Sequence, residues 1–122
     1  MRRLLRAMKI KYKNRTAERQ FDPGCEAFWQ YPKAVSTKLK SMSTFIEAAS
    51  SLSDLVHFPP YHFHQLRGDR KCEWALNVGH TGYRVTLIPL DDQEKEIVDG
   101  DIVHIYRMIK IVLVTEVSNH YE

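Results

Sequence analysis

The chain has 122 residues, 43% of them hydrophobic and 27% charged, with a formal net charge of +3. That length supports one modest core, and the balance is that of a folded chain rather than a disordered one. No apolar run approaches the ~18 residues of a membrane span, and so mild a basic excess argues only weakly for an anionic partner.

Met1-Arg2-Arg3-Leu4-Leu5-Arg6 begins like a secretory leader, but Arg6, Lys9 and Lys11 interrupt the apolar stretch that a leader needs. Cys25 and Cys72 lie far apart and form no CxxC pair. A reducing, cytoplasmic setting is therefore expected, with no membrane association. Repeats and low-complexity linkers are absent, so residues 1–122 are expected to form a single domain.

The alternation of Met8, Ile10 and Tyr12 with Lys9, Lys11 and Lys13 predicts a first strand over 8–12. A polar stretch through Arg19 follows. Asp22-Pro23 reads as the cap and first position of a short helix running through Cys25, Phe28 and Trp29 to Tyr31-Pro32. Val35, Leu39, Met42, Ile46 and Ala49 then step by 4, 3, 4 and 3, one apolar stripe along a helix. Ser51 to Asp54 and Pro59-Pro60 close this helical half.

Beyond it the period changes to two. Residues 62–66, 73–78, 83–88 and 102–117, the last with a break near Met108 to Lys110, read as strands rich in Val, Ile and aromatics. Turn residues separate them at Arg67 to Arg70, Gly79 to Gly82 and Asp99 to Asp101. This order predicts an α+β fold: a single twisted, mainly antiparallel β-sheet with two or three N-terminal helices packed on one face.

Placing Val78 opposite Tyr83 sets a register that pairs Asn77 with Arg84, Leu76 with Val85, Ala75 with Thr86 and Trp74 with Leu87. Trp74, Leu76, Val78, Tyr83, Val85 and Leu87 then face the core. Glu73, Ala75, Asn77, Arg84 and Thr86 share the opposite face, which reads either as ordinary solvated sheet or as a floor for phosphate.

Leu66-Arg67-Gly68-Asp69-Arg70-Lys71-Cys72-Glu73-Trp74-Ala75-Leu76-Asn77-Val78, followed by Gly82-Tyr83-Arg84-Val85, resembles the central hairpin of RelE/HigB-type toxins of the RelE/ParE superfamily. The tail Val117-Ser118-Asn119-His120-Tyr121-Glu122 is similar to the short tail of HigB-like members, and Met8 to Tyr12 to their first strand. Two lysines of the best-known RelE members correspond to Ala75 and Asn77 here, and the position of a second catalytic arginine to His120. The likeness is therefore to the HigB branch, whose basic residues lie at the positions of Arg67, Arg70 and Lys71. It implies a RelE-like toxin of a type II toxin–antitoxin system, an endoribonuclease cleaving mRNA on the ribosome. The implied partner is a helix-turn-helix antitoxin of the HigA type, with operator DNA bound only through that antitoxin. The competing reading within the superfamily is a ParE-like toxin that inhibits DNA gyrase without nuclease chemistry.

Metal-independent RNA cleavage must remove the 2′-OH proton, stabilise the transition-state charge and protonate the departing 5′-oxygen. Arg84 suits the second task, since its guanidinium is always charged and can engage two phosphate oxygens. His120 suits acid or base work, and Tyr121 suits stacking or phosphate orientation. Lys71 and Glu73 remain alternatives for the base. Arg67, Arg70 and Asn77 are expected to contact RNA. No cofactor is expected. His57, His62 and His64 straddle Pro59-Pro60 and lack a fourth ligand at familiar spacing, so no metal is expected either.

Overall fold

A computed structural model of the chain describes residues 8–70, 72–97 and 102–119, with backbone alone at residues 103 and 104. Five strands form one sheet in the order β1-β5-β4-β3-β2: β1 Lys9–Tyr12, β2 His64–Gln65, β3 Trp74–Asn77, β4 Tyr83–Leu90 and β5 Ile111–Asn119. β2 to β5 pair antiparallel with their neighbours, while β1 joins the far edge of β5 in parallel. The fold is α+β, as the change of period predicts.

Helix α2, Lys33–Ala48, lays its apolar stripe on the inner face of the sheet. Val35, Leu39, Met42, Ile46 and the following Ala49 are all buried there, together with Leu76, Val78, Val85, Leu87 and Val114. The hairpin register is the one anticipated, from Trp74 opposite Leu87 to Asn77 opposite Arg84.

Five elements differ from expectation. The polar stretch before Asp22 is a helix, α1 Arg15–Phe21, whose cap is Asn14: its side-chain oxygen accepts from the N–H of Ala17 at 2.9 Å. Ala17 and Phe21, four residues apart, bury one side of that helix. Asp22 closes α1 instead of opening a helix, and only a 3-10 segment, Glu26–Gln30, follows. Ser51, expected to end the helical half, caps a further short helix, α3 Leu52–Val56.

The expected strand at 62–66 shrinks to two residues because His62 adopts a left-handed backbone, φ 47°. The first part of the 102–117 segment is helical: α4 Ile102–Ile105, then a 3-10 turn, Tyr106–Met108. Its β-branched residues suit a strand by composition, yet the chain coils here between two buried isoleucines, Ile102 and Ile109.

Where β1 ends, the edge of β5 needs another partner. The backbone N–H of Lys13 donates to the carbonyl of Val114 at 2.9 Å, and the chain then turns into α1. From α1 the side-chain carbonyl of Gln20 accepts the N–H of Val117 at 3.0 Å, replacing the missing strand at that point.

A candidate nucleic-acid interface on the outer sheet face

The face turned away from the helices divides in two along the strands. Toward the Leu90 end it is apolar, with Ile88 and Leu90 buried. Toward the hairpin turn it is polar. Here the register sets Asn77, Arg84 and Ser118 side by side across three strands, and Ala75, Thr86 and Glu116 in the row below them. Residues opposite each other on one sheet face stand ~5 Å apart at Cβ, so each row is a contact set.

A β-bulge lies between the two halves. The β4–β5 register shifts between Thr86 and Leu87, so Thr115 is added to the strand. Its hydroxyl donates to Glu73 Oε1 at 2.9 Å and therefore accepts from the Thr86 hydroxyl at 2.7 Å. Glu73 is also held by Arg70, with Nη2 to Oε1 at 2.8 Å and Nε to Oε2 at 3.2 Å, a two-pronged pair. The chain Thr86–Thr115–Glu73–Arg70 thus satisfies polar groups beneath the face, Thr86 being completely buried. Expecting this face to be open to solvent is correct for Asn77 and Arg84 and incorrect for Thr86 and Ala75, both at zero exposure.

This network decides the state of Glu73. The hydrogen bond from Arg70 holds its carboxyl below the ordinary carboxylate range; burial opposes that, and Thr115 and the charge of Arg70 reinforce it. A carboxylate so stabilised is a poor proton acceptor. Of the two bases left open by the sequence, Glu73 is therefore disfavoured. Arg70 in turn is raised above its usual value, chiefly by the same hydrogen bond. It stands half-exposed with its charge committed to Glu73.

Arg84 is in the opposite condition. Its Nε is buried and has no hydrogen-bond partner, and no carboxylate forms an ion pair with its guanidinium among the described residues. Leaving such a donor unmatched costs ~1–3 kcal/mol. An unpaired cation at the centre of a polar row, flanked by an amide and a hydroxyl, is chemically suited to receive an anion.

The remaining sequence candidates divide as follows. Asn77 stands directly beside Arg84. Arg67 is exposed and precedes the 3-10 turn Gly68–Arg70, where Gly68 takes φ 70°. Lys71, His120 and Tyr121 lie outside the described residues. The last described residue of β5, Asn119, pairs with Tyr83, the neighbour of Arg84.

One titratable group on this face, Glu116, was not singled out from sequence, whereas His64 beside it was weighed there only as a metal ligand. Glu116 lies in the row below Arg84 and makes no ion pair among the described residues. Its signal is the run Thr115, Glu116, Ser118 inside an otherwise apolar strand. His64 pairs with Ala75 and fixes one ring nitrogen, Nδ1, 2.8 Å from the carbonyl of His62.

On the helix side, Glu18, Asp22 and Cys25 bring potential ligand atoms within 4.8 Å of one another. The Tyr12 phenol is raised well above its ordinary value by burial first and then by Asp22, Glu18 and Glu47.

No family model matches the chain, and no curated protein matches it.

Proposed function

We propose that this protein is the toxin of a type II toxin–antitoxin pair, a HigB-like, metal-independent endoribonuclease that cleaves mRNA on the ribosome. The observation that supports this best is Arg84: a strand guanidinium on the polar outer face, with a buried and unmatched Nε and no ion pair among the described residues. A purely structural arginine with that burial would be expected to carry a carboxylate partner, as Arg70 does. In this reading Arg84 binds the scissile phosphate through two oxygens and stabilises the charge that builds on it.

His120 and Tyr121 follow Asn119 directly in the chain, and Asn119 closes the strand beside Arg84. His120 moves protons, and Tyr121 stacks on a base or orients the phosphate. Because Glu73 is committed to Arg70, the base is assigned among His120, Lys71 and Glu116. Arg67 and Asn77 hold the RNA backbone, and Arg70 acts chiefly by fixing Glu73. A helix-turn-helix antitoxin that covers the cationic face would silence the activity, and operator DNA would be reached only through it. The cytoplasm, where mRNA and ribosomes are, is the corresponding location.

Inducible expression of Arg84→Ala and His120→Ala variants tests the assignment. Each is expected to lift growth arrest while remaining folded and antitoxin-bound. Arg84→Lys is expected to restore little, because one ammonium cannot replace the two-pronged contact. Persistent growth arrest in both alanine variants would remove these residues from the site.

A further inference from the structure

The sheet end that carries Arg84 has a recess around its β3 edge. β2 pairs with β3 only through His64–Ala75 and Gln65–Trp74, and the left-handed turn at His62 takes the chain away from the sheet. The edge of β3 beyond Ala75 is therefore not covered by β2. Val78 donates across the hairpin to Tyr83 at 3.0 Å, so strand alternation directs the backbone N–H and C=O of Asn77 toward that uncovered edge.

A groove of about 580 Å³ fills the gap, with Lys38, His62, Asn77, Gly79 and His80 in its lining and Pro59 in one wall. Among the described residues no carboxylate lines it and Lys38 makes no ion pair. The stem of Lys38 lies across the turn: a Cβ added at Gly79, where φ is 57°, would come within 2.6 Å of Lys38 Cδ and 3.3 Å of its Nζ. The exposed Lys38 side chain thus reaches over the hairpin turn.

A groove with one cation, two imidazoles, an amide and an edge N–H, and no acid among the described residues, suits an anion. It is continuous with Arg84 through Asn77, which lines the groove and pairs with Arg84 in the sheet. Two anion sites joined along one surface fit a ligand whose charges repeat along a chain. We propose that the groove is a second phosphate subsite for single-stranded RNA, holding a backbone phosphate that neighbours the one at Arg84. Lys38 supplies its charge, and Asn77, His62 and His80 supply its polar contacts. This inference rests on the ribonuclease reading, and it adds α2 to the substrate-binding surface.

Anisotropy of a labelled, 2′-O-methylated single-stranded RNA, which cannot be cut, tests it over a salt series with the full chain. Lys38→Gln is expected to weaken binding several-fold and to lower the slope of log affinity against log salt by ~0.7, the increment for one single-strand phosphate. Lys38→Arg is expected to keep the slope. On cleavable mRNA, Lys38→Gln is expected to raise KM and leave kcat unchanged. Lys38 is exposed on α2, so the variant is expected to fold. If Lys38→Gln binds with an unchanged slope while the wild type cuts mRNA, the groove is overturned and the nuclease reading stands. A wild-type chain that neither binds the oligonucleotide nor cuts mRNA overturns both.

Discussion

Arg84 and Arg70 are two arginines serving one face, and their surroundings give them different work. Arg70 meets a carboxylate at 2.8 Å and stiffens the network under the sheet, whereas Arg84 leaves a buried nitrogen without a partner. An unmatched buried donor destabilises the fold, so replacing Arg84 with an apolar side chain of similar length should relieve that cost. Arg84→Met is expected to melt at the wild-type temperature or a few degrees above it, a gain of ~1 kcal/mol, while losing the proposed toxicity. A scaffold arginine would behave in the reverse way, and a clear drop in melting temperature would show that Arg84 holds the structure together.

Glu73 makes a prediction of opposite sign. Its folded carboxyl lies below its unfolded value, so the stability it confers is complete above the ordinary carboxylate range. That stability is lost as pH falls through the depressed folded value. Glu73→Gln, which mimics the protonated form, is expected to cost about 1 kcal/mol at neutral pH, the exposure of Arg70 moderating the figure. Urea midpoints of the two proteins should converge on acidification. A gap that persists in acid would mean that the pair contributes through packing rather than charge.

At the scale of elements, α2 is the support on which the hairpin rests. Leu39, at zero exposure in the middle of its stripe, packs in the same cluster as Leu76 and Val85. Leu39→Ala is expected to destabilise by ~2–5 kcal/mol and to lower toxicity only through loss of folded protein, which thermal melts and soluble yield would report. A loss of toxicity at full stability would instead give Leu39 itself a direct part in function.

The elements also show which features a linear reading can detect. The stripe of α2 and the 77/84 pairing were legible because each depends on spacing within one segment. Helix α1 was hidden because its buried face is only Ala17 and Phe21 in a polar setting. Helix α4 was misread because its β-branched residues suit either state and the segment is too short to show a period. The network joining Glu73 to Thr115 spans 42 residues and depends on a bulge, so nothing local encodes it. The groove beside β3 exists because β2 stops early, which in turn depends on the backbone of His62.

For the whole molecule, the arrangement has a simple logic. Helices seal one face of a five-stranded sheet, and the hairpin end of the other face stays polar. On β1 at the sheet edge, Lys9 and Lys11 are drawn to Glu94, and Arg70 to Glu73, so the cations left without ion pairs beside the hairpin include Arg84 and Lys38. Two cations unpaired among the described residues thus flank the hairpin of a protein whose net charge is only +3.

The most direct test of the central claim is primer extension on cellular mRNA shortly after induction, comparing the wild type with Arg84→Ala. With mRNA cleavage as the activity, discrete new 5′ ends within translated codons are expected for the wild type and none for the variant. Intact transcripts accompanied by double-strand DNA breaks would contradict it and favour gyrase as the target.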